Sequence, residues 1–140
     1  MSAQKVYKAI GLMSGTSLDG MDAAILETDG YDFVKPIAFL SRPYEQGLRQ
    51  KLRACLGRSD CLSADIKDTE RQMTMAHVLL VQDILRESGI ESQDIDVIGF
   101  HGQTIYHAPE NGVTVQIGDG HLLAQESGID VVNDFRTSDV

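Results

Sequence analysis

The stretch Val6-Tyr-Lys-Ala-Ile-Gly-Leu-Met-Ser-Gly-Thr-Ser-Leu-Asp-Gly-Met-Asp-Ala-Ala-Ile-Leu26 indicates how the chain begins to fold. Its first apolar run, residues 6–13, ends in a polar turn rich in glycine, and a second apolar run follows over residues 21–26. Two such runs separated by turn residues predict two strands joined as a hairpin. A third run, residues 33–40, is again bounded by turn residues, so the sequence predicts a meander of three strands.

Two helices are expected after the meander. Residues 44–56 are rich in helix formers, and residues 63–88 follow a helical pattern that Gly89 is placed to end. Three- and four-residue spacing predicts one mostly apolar stripe on the longer helix, formed by Met75, Val78, Leu79, Gln82 and Leu85. His77, in the same helix, is interpreted as a residue of the helix surface or the edge of the core, and so is His121.

The remainder of the chain alternates between strands and helices. Residues 95–98 predict a buried strand that runs into a polar loop at residues 99–104, and residues 113–117 predict a short strand. A helix is expected over residues 119–127, beginning on an acidic cap, and a last strand over residues 129–132. Three strands followed by alternating helices and strands indicate an α/β layered domain with a mixed sheet.

Composition excludes several classes of protein. At 140 residues the chain has the length of about one domain, and 42% hydrophobic residues suffice for a core. The 12 basic and 21 acidic residues give a net charge of -9, which disfavours nucleic acids and anionic membranes as partners. No stretch approaches the roughly 20 apolar residues of a spanning helix, so a cytoplasmic protein is expected. Cys55 and Cys61 are interpreted as two ordinary thiols.

The glycine-rich turn does not match two common catalytic motifs. Gly15 and Gly20 have the spacing of a P-loop, but Met21 and Asp22 stand where lysine and a hydroxyl residue are required. A nucleophile elbow is also excluded, because one residue too many separates the first glycine from Ser14.

The turn can nevertheless bind phosphate. Small residues let backbone N–H groups converge on an anion, and Thr16 and Ser17 would add hydroxyl donors. The carboxylates of Asp19 and Asp22 repel phosphate unless a hard cation such as Mg²⁺ lies between them, so the turn suggests a metal nucleotide. The alternative is an ordinary hairpin with a polar tip and a capping aspartate. The residues alone leave both interpretations open.

A second polar cluster, His101, Gln103 and Thr104, follows the predicted buried strand. Open α/β sheets bind ligands at the carboxyl ends of their strands, and an amide with a hydroxyl can address sugar hydroxyls without charge. His101 and His107 together suggest a metal site as an alternative, but a spacing of six without a partner carboxylate is not a usual ligand pattern. The other alternative for His101 is a structural, hydrogen-bonded histidine.

Three motifs together resemble one family. They are residues 11–22 above, Ile98-Gly-Phe-His-Gly-Gln-Thr-Ile-Tyr-His107, and Thr114-Val-Gln-Ile-Gly118 followed by Gly128-Ile-Asp-Val-Val-Asn-Asp-Phe-Arg136. The chain is thereby similar to the anhydro-N-acetylmuramic acid kinases of the actin, Hsp70 and sugar-kinase superfamily. The resemblance implies a ribonuclease-H-like lobe, with residues 1–140 as the truncated first lobe of a two-lobed kinase. It also implies that the ATP-contacting turn consists of Gly15, Thr16, Ser17, Leu18, Asp19, Gly20, Met21 and Asp22.

The resemblance also assigns substrate contacts. It places His101, Gln103 and Thr104 in the sugar cleft and Arg136 close to it, where a guanidinium can bind the lactyl carboxylate of a muramic acid in bidentate fashion. The alternative for Arg136 is a surface ion pair with Asp134 or Asp139. Relatives carry several arginines after the phenylalanine, whereas residues 137 and 138 here are threonine and serine. That departure leaves open which residue binds the carboxylate.

The activity implied by the resemblance is ATP- and Mg²⁺-dependent. Such a kinase opens the 1,6-anhydro ring of anhydro-N-acetylmuramic acid with water and phosphorylates the 6-hydroxyl, yielding N-acetylmuramic acid 6-phosphate for peptidoglycan recycling. The base that activates water is expected to be a carboxylate beyond Val140, so the chain alone is predicted to be inactive. The alternatives are a related kinase for another sugar and a non-catalytic lobe that binds nucleotide or sugar. A homodimer is left open.

Overall fold

The computed structural model describes residues 5–14, 18–60, 62–108, 110 and 112–133. In these residues the chain forms seven strands, three α-helices and one short 3₁₀ turn at Ser92–Asp94. The strands are β1 (Tyr7–Ser14), β2 (Gly20–Thr28), β3 (Val34–Pro43), β4 (Val97–Phe100), β5 (Gln103–Ala108), β6 (Val113–Ile117) and β7 (Val131–Val132). The helices are α1 (Gln46–Cys55), α2 (Ala64–Ser88) and α3 (Gly120–Ser127).

A five-stranded mixed sheet has the order β3-β2-β1-β4-β7. Its first three strands are antiparallel neighbours, while β4 runs parallel to β1 and β7 runs parallel to β4. The predicted meander and the predicted mixed sheet are therefore confirmed. Leu12 of β1 is in register with Ala23 on one side and Phe100 on the other, which puts the apolar residues of three strands on one face.

The core lies between that sheet face and the helices. Ile10, Leu12, Ile25, Ile98 and Phe100 are all buried there. The other face of the sheet carries Met13, Phe39 and Val132 at its surface.

The apolar stripe predicted for α2 is wrong in part. Val78 is buried, but Leu79 is 59% exposed and Gln82 also lies at the surface. His77, which the sequence suggested to be a surface or core-edge residue, is 0% exposed. The fully buried face instead follows the helical repeat through Ile66, Met73, His77, Leu80, Val81 and Ile84. Because a polar histidine lies in the middle of this face, residue types alone did not indicate the buried repeat.

The ends of two helices are as predicted. Gly89 ends α2 in the left-handed conformation, with φ of 73°. Asp119 begins α3, and its carboxylate accepts a hydrogen bond of 3.0 Å from the backbone N–H of Leu122. His121 lies at the surface of that helix, as expected, and Cys55 is a buried free thiol.

The polar loop predicted for residues 99–104 is shorter than expected. Only His101 and Gly102 separate β4 from β5, so Gln103 and Thr104 are the first residues of a strand. That strand pairs with β6 in a separate antiparallel hairpin. The two glycines and the polar residues of the motif hid a strand that the β-formers Thr104, Ile105 and Tyr106 support. None of the helices in the described residues combines the length and the apolar composition needed to cross a membrane.

Candidate functional site

The two polar clusters found in the sequence lie beside each other. The predicted turn follows Ser14, the last residue of β1, and His101 follows the carboxyl end of β4, which is parallel to β1 and pairs with it. The backbone N–H of His101 donates to the carbonyl oxygen of Leu12 at 3.3 Å. Because parallel neighbours end at the same edge of a sheet, one site can be served by both segments.

Part of the predicted site lies outside the described residues. Gly15, Thr16 and Ser17 belong to this part, and so does Arg136 with both of the aspartates suggested as its partners. Their assigned roles therefore stay predictions.

A buried chain of hydrogen bonds connects the two clusters. The Ser14 hydroxyl donates to Oε1 of Gln103, and the Tyr44 hydroxyl donates to Oγ of Ser14 at 2.7 Å. These residues are 8%, 2% and 3% exposed, respectively. Burial raises the pKa of Tyr44 to about 12, against a weaker lowering by its bond to Ser14, so its hydroxyl keeps the proton it donates at neutral pH.

Gln103 is a buried residue whose amide has partners on both sides. Its Oε1 accepts from Ser14, and its Nε2 donates to the carbonyl oxygen of Thr104 at 3.3 Å. A sugar contact through this amide therefore requires an exchange of partners. Thr104 is half-buried and lies opposite Gln116 in the hairpin, which leaves it more accessible than Gln103. Both remain predicted sugar contacts.

The far end of the turn is anchored to Arg49 of α1 and to Tyr44, which precedes that helix by two residues. Leu18 has φ of 61°, an uncommon conformation for a residue with a side chain, and is only 1% exposed. The carbonyl oxygen of Asp19 accepts from the backbone N–H of Tyr44 and from Nη2 of Arg49, each at 3.3 Å. The buried Nε of Arg49 has no hydrogen bond partner among the described residues.

Tyr44 and Arg49 were not among the predicted site residues. Nothing in the local pattern marks Tyr44, which stands between β3 and α1. Arg49 looks like any basic residue on a surface helix, and only the fold shows that it reaches the turn.

Several turn residues are available only through their backbone. Leu18 and Met21 have buried side chains that belong to the core. Gly20 lies against β3, where an added Cβ would come within 2.5 Å of the carbonyl oxygen of Arg42. The side chains of Asp19 and Asp22 are exposed.

Asp22 lies on the outer face of the sheet. It is in register with Met13 of β1 and Ser41 of β3, and the Ser41 hydroxyl donates to its Oδ1 at 2.6 Å. Its exposed carboxylate retains an oxygen for water or for a cation-bound water. Mg²⁺ is commonly held by one or two carboxylates together with phosphate oxygens and waters, so the Asp22 carboxylate fits a contact with such an ion. No cluster of three or more potential metal ligands occurs in the described part of the chain.

The two histidines of the second motif have separate partners. His101 is half-buried, and its Nδ1 lies 3.3 Å from the carbonyl oxygen of Gly102. His107 is exposed on β5, and its Nδ1 lies 2.8 Å from Oγ1 of Thr114 on β6.

Two motif glycines allow the hairpin to close against β4. Gly102 has φ of 74°, and a Cβ there would overlap the carbonyl oxygen of Ile117. A Cβ at Gly118 would meet the ring of Phe100 at 3.0 Å. Helix α2 holds the same region, because Glu70 Oε2 accepts from the backbone N–H of Gly118 at 2.9 Å. The glycines therefore shape the site, and a side chain at Gly102 would displace its wall.

Comparison with known proteins supports the family suggested by the sequence motifs. Residues 7–140 match the family described as anhydro-N-acetylmuramic acid kinase. The chain is 48% identical over 137 residues to the protein of that name from Rhizorhabdus wittichii, covering 94% of this chain and 38% of the relative. The corresponding proteins of Brucella canis and Agrobacterium fabrum are 45% and 46% identical over 139 and 144 residues, covering 95% and 97% of this chain. The chain spans 37% and 38% of the length of these two relatives.

Proposed function

The chain belongs to the anhydro-N-acetylmuramic acid kinase family, and on that basis we propose that it is the first lobe of an ATP-dependent kinase for 1,6-anhydro-N-acetylmuramic acid. In the proposed reaction, water adds to the anomeric carbon and the bond from that carbon to O6 breaks. O6 takes the γ-phosphoryl group of ATP, which leaves ADP and N-acetylmuramic acid 6-phosphate. Such a product belongs to peptidoglycan recycling, and the use of ATP places the enzyme in the cytoplasm.

The observation that carries the proposal is the meeting of two motifs at one edge of the sheet. The turn after β1 and the His101–Thr104 segment after β4 are neighbours, so a nucleotide on the first would lie beside a sugar on the second. Phosphoryl transfer needs this juxtaposition, since its catalysis is mostly positioning and charge neutralisation. An isolated hairpin with a polar tip would have no need of the second segment.

Most of the candidate site residues have a proposed task. Backbone N–H groups of residues 15–20 bind the ATP phosphates, and Arg49 holds the turn through the carbonyl oxygen of Asp19. Asp22, or Asp19, would hold Mg²⁺ through water, and the ion neutralises charge on the phosphate oxygens when it is bound. Gln103 and Thr104 address the sugar, and Arg136 its lactyl carboxylate.

The sheet supports a finer statement about the fold. Three antiparallel strands followed by two parallel ones, in the order β3-β2-β1-β4-β7, are consistent with a ribonuclease-H-like lobe. The chain spans 37 to 38% of its relatives' length, and we propose that the water-activating carboxylate belongs to the part that this chain does not span.

The test is turnover by the full-length protein that carries this chain. It is incubated with ATP, Mg²⁺ and the anhydro sugar, and ADP and the sugar phosphate are both followed. In ¹⁸O-labelled water the O6 atom of the product should stay unlabelled, because water attacks the anomeric carbon and O6 comes from the anhydro bridge. Label at O6 would refute the proposed ring opening.

Two further results would select the alternatives. ADP release with other amino sugars but not with the anhydro sugar would indicate a related kinase. Binding of ATP or sugar without any turnover would indicate a non-catalytic lobe. Under the main proposal the 140-residue chain alone shows no turnover, because one lobe cannot exclude water from both sides of the reaction.

A further inference from the structure

Tyr44 holds both ends of the predicted phosphate turn. Its hydroxyl donates to Ser14, the last residue before the turn, at 2.7 Å. Its backbone N–H donates to the carbonyl oxygen of Asp19, at the other end of the turn, at 3.3 Å. One residue that belongs to neither strand of the hairpin therefore bridges Ser14 and Asp19.

The same residue is linked to the predicted sugar segment. The Tyr44 hydroxyl donates a hydrogen bond to Ser14, and the Ser14 hydroxyl donates one to Gln103. The amide of Gln103 in turn donates to the Thr104 carbonyl oxygen. A hydroxyl has a single proton to donate, so Ser14 cannot shift toward a phosphate without releasing Gln103. Gln103 likewise cannot turn toward a sugar without changing what Ser14 donates to.

Burial makes this linkage energetically significant. All three side chains are at most 8% exposed, so a donor or acceptor that loses its partner there cannot replace it with bulk water. A displacement at one end of this series of hydrogen bonds therefore changes the free energy of the arrangement at the other end. Two ligands that favour the same arrangement of this chain would each bind more tightly in the presence of the other.

We propose that Tyr44 is a positioning residue that, through Ser14 and Gln103, couples the nucleotide turn to the sugar segment, so that occupancy of either site raises the affinity of the other. The inference rests on the proposed function, since it takes the two segments as the sites of ATP and the anhydro sugar. Tyr44 itself contacts neither ligand.

The experiment measures coupling in the full-length protein. The Kd of a non-hydrolysable ATP analogue with Mg²⁺ is determined by calorimetry, without and with saturating anhydro sugar, and the ratio of the two values is the coupling factor. We expect a factor of about five or more in the unsubstituted protein, the lower end of common allosteric couplings. Tyr44→Phe keeps the ring in the core but removes the hydroxyl, and its factor should fall to about one.

Two further variants separate coupling from general destabilisation. Tyr31→Phe is the matched control, because Tyr31 is 86% exposed, and it should keep the full factor. Ser14→Ala removes the middle member of the hydrogen-bond series and should by itself abolish the coupling. Adding Tyr44→Phe to that variant should then have no further effect, since the effects of substitutions within one network are not additive.

The outcomes distinguish this inference from the proposed function. A Tyr44→Phe protein that melts at a lower temperature but keeps the coupling factor would overturn the positioning role. A factor of one in the unsubstituted protein would overturn it without any variant. If the anhydro sugar does not bind at all, the proposed function fails; if both ligands bind and the substituted and unsubstituted proteins couple alike, only this inference fails.

Discussion

Protonation of His77 should destabilise the fold in mildly acidic solution. The histidine is fully buried on α2, where its ring packs against Phe100 and Tyr44 at centroid distances of 5.0 and 6.2 Å. Its Nδ1 lies 2.9 Å from the carbonyl oxygen of Met73, which only a protonated Nδ1 can satisfy. The buried Nε2 has no hydrogen bond partner in the described part of the chain, so it is the site that an additional proton would have to occupy.

The magnitude follows from the pKa. Burial lowers the pKa of His77 from 6.5 to about 4, against a smaller raising effect of the bond to Met73. Since the unfolded chain takes up the proton near pH 6.5 and the folded chain only near pH 4, this contribution to stability is fully present above pH 6.5. It is lost as the pH falls from 6.5 toward 4. The full loss is about 3 kcal/mol, and about 2 kcal/mol of it is lost between pH 7.5 and 5.

Urea denaturation at several pH values can test this expectation. Carboxylates also titrate in this range, so the free energy of unfolding is compared between the parent chain and His77→Leu, in which only the histidine contribution is absent. The parent should lose about 2 kcal/mol more than the variant between pH 7.5 and 5. His121→Gln, at an exposed histidine, serves as the control and should behave like the parent. Equal pH dependence in the parent and in His77→Leu would refute the reasoning.

Three further predictions concern the site. Gly102→Ala should destabilise the fold by at least about 2 kcal/mol, because alanine there would adopt a strained left-handed conformation and its Cβ would overlap the Ile117 carbonyl oxygen. Gly89→Ala is the control for the strain alone, since Gly89 has φ of 73° and open space around it. Equal losses of stability in the two variants would exclude a contribution from the overlap. In the full-length protein that carries this chain, the proposed function predicts that Asp22→Asn lowers kcat more than sugar affinity, since the metal matters most as charge develops; unchanged kcat would remove Asp22 from the mechanism. Thr104→Val should weaken sugar binding by roughly 1 to 3 kcal/mol if its hydroxyl is a buried partner. Calorimetry that finds weaker ATP binding and normal sugar binding would reverse that assignment.

The strands of the main sheet could be predicted from the sequence because each lies in a mostly apolar run bounded by turn residues. The runs at residues 6–13 and 21–26 became β1 and β2 within two residues at either end. The order of the three antiparallel strands also follows from the sequence, since short turns leave a strand little choice of neighbour. The caps at Gly89 and Asp119 were predictable for a similar reason, as they act on the adjacent turn of helix.

The errors arise where a residue type is unusual for its environment. The interior of α2 includes His77, which a polarity pattern assigns to the surface, and the predicted stripe was consequently rotated away from the buried face. β5 begins with Gln103 and Thr104, whose polarity suggested a loop, although Gln103 is buried. In both places a polar side chain is accommodated by a specific partner, Met73 for the histidine and Ser14 for the glutamine. Such partners are supplied by the tertiary fold and leave no periodic trace in the sequence.

The linkage at the site was beyond prediction for the same reason. Ser14 and Gln103 are 89 positions apart and Ser14 and Tyr44 are 30 apart, and each contact exists only because β1 and β4 are parallel and α1 begins beside the turn. Residue types could suggest which segments are candidates to bind a phosphate and a sugar, since hydroxyls, amides and glycines have that chemistry wherever they occur. They could not suggest that the two segments are joined by hydrogen bonds, because such bonds depend on distances that only the fold sets. Ser14, the residue before the glycine-rich turn, therefore belongs to a buried network that joins Tyr44 to Gln103. Under the proposed coupling, a substitution at Tyr44, which the motifs do not include, should change the binding of both ligands.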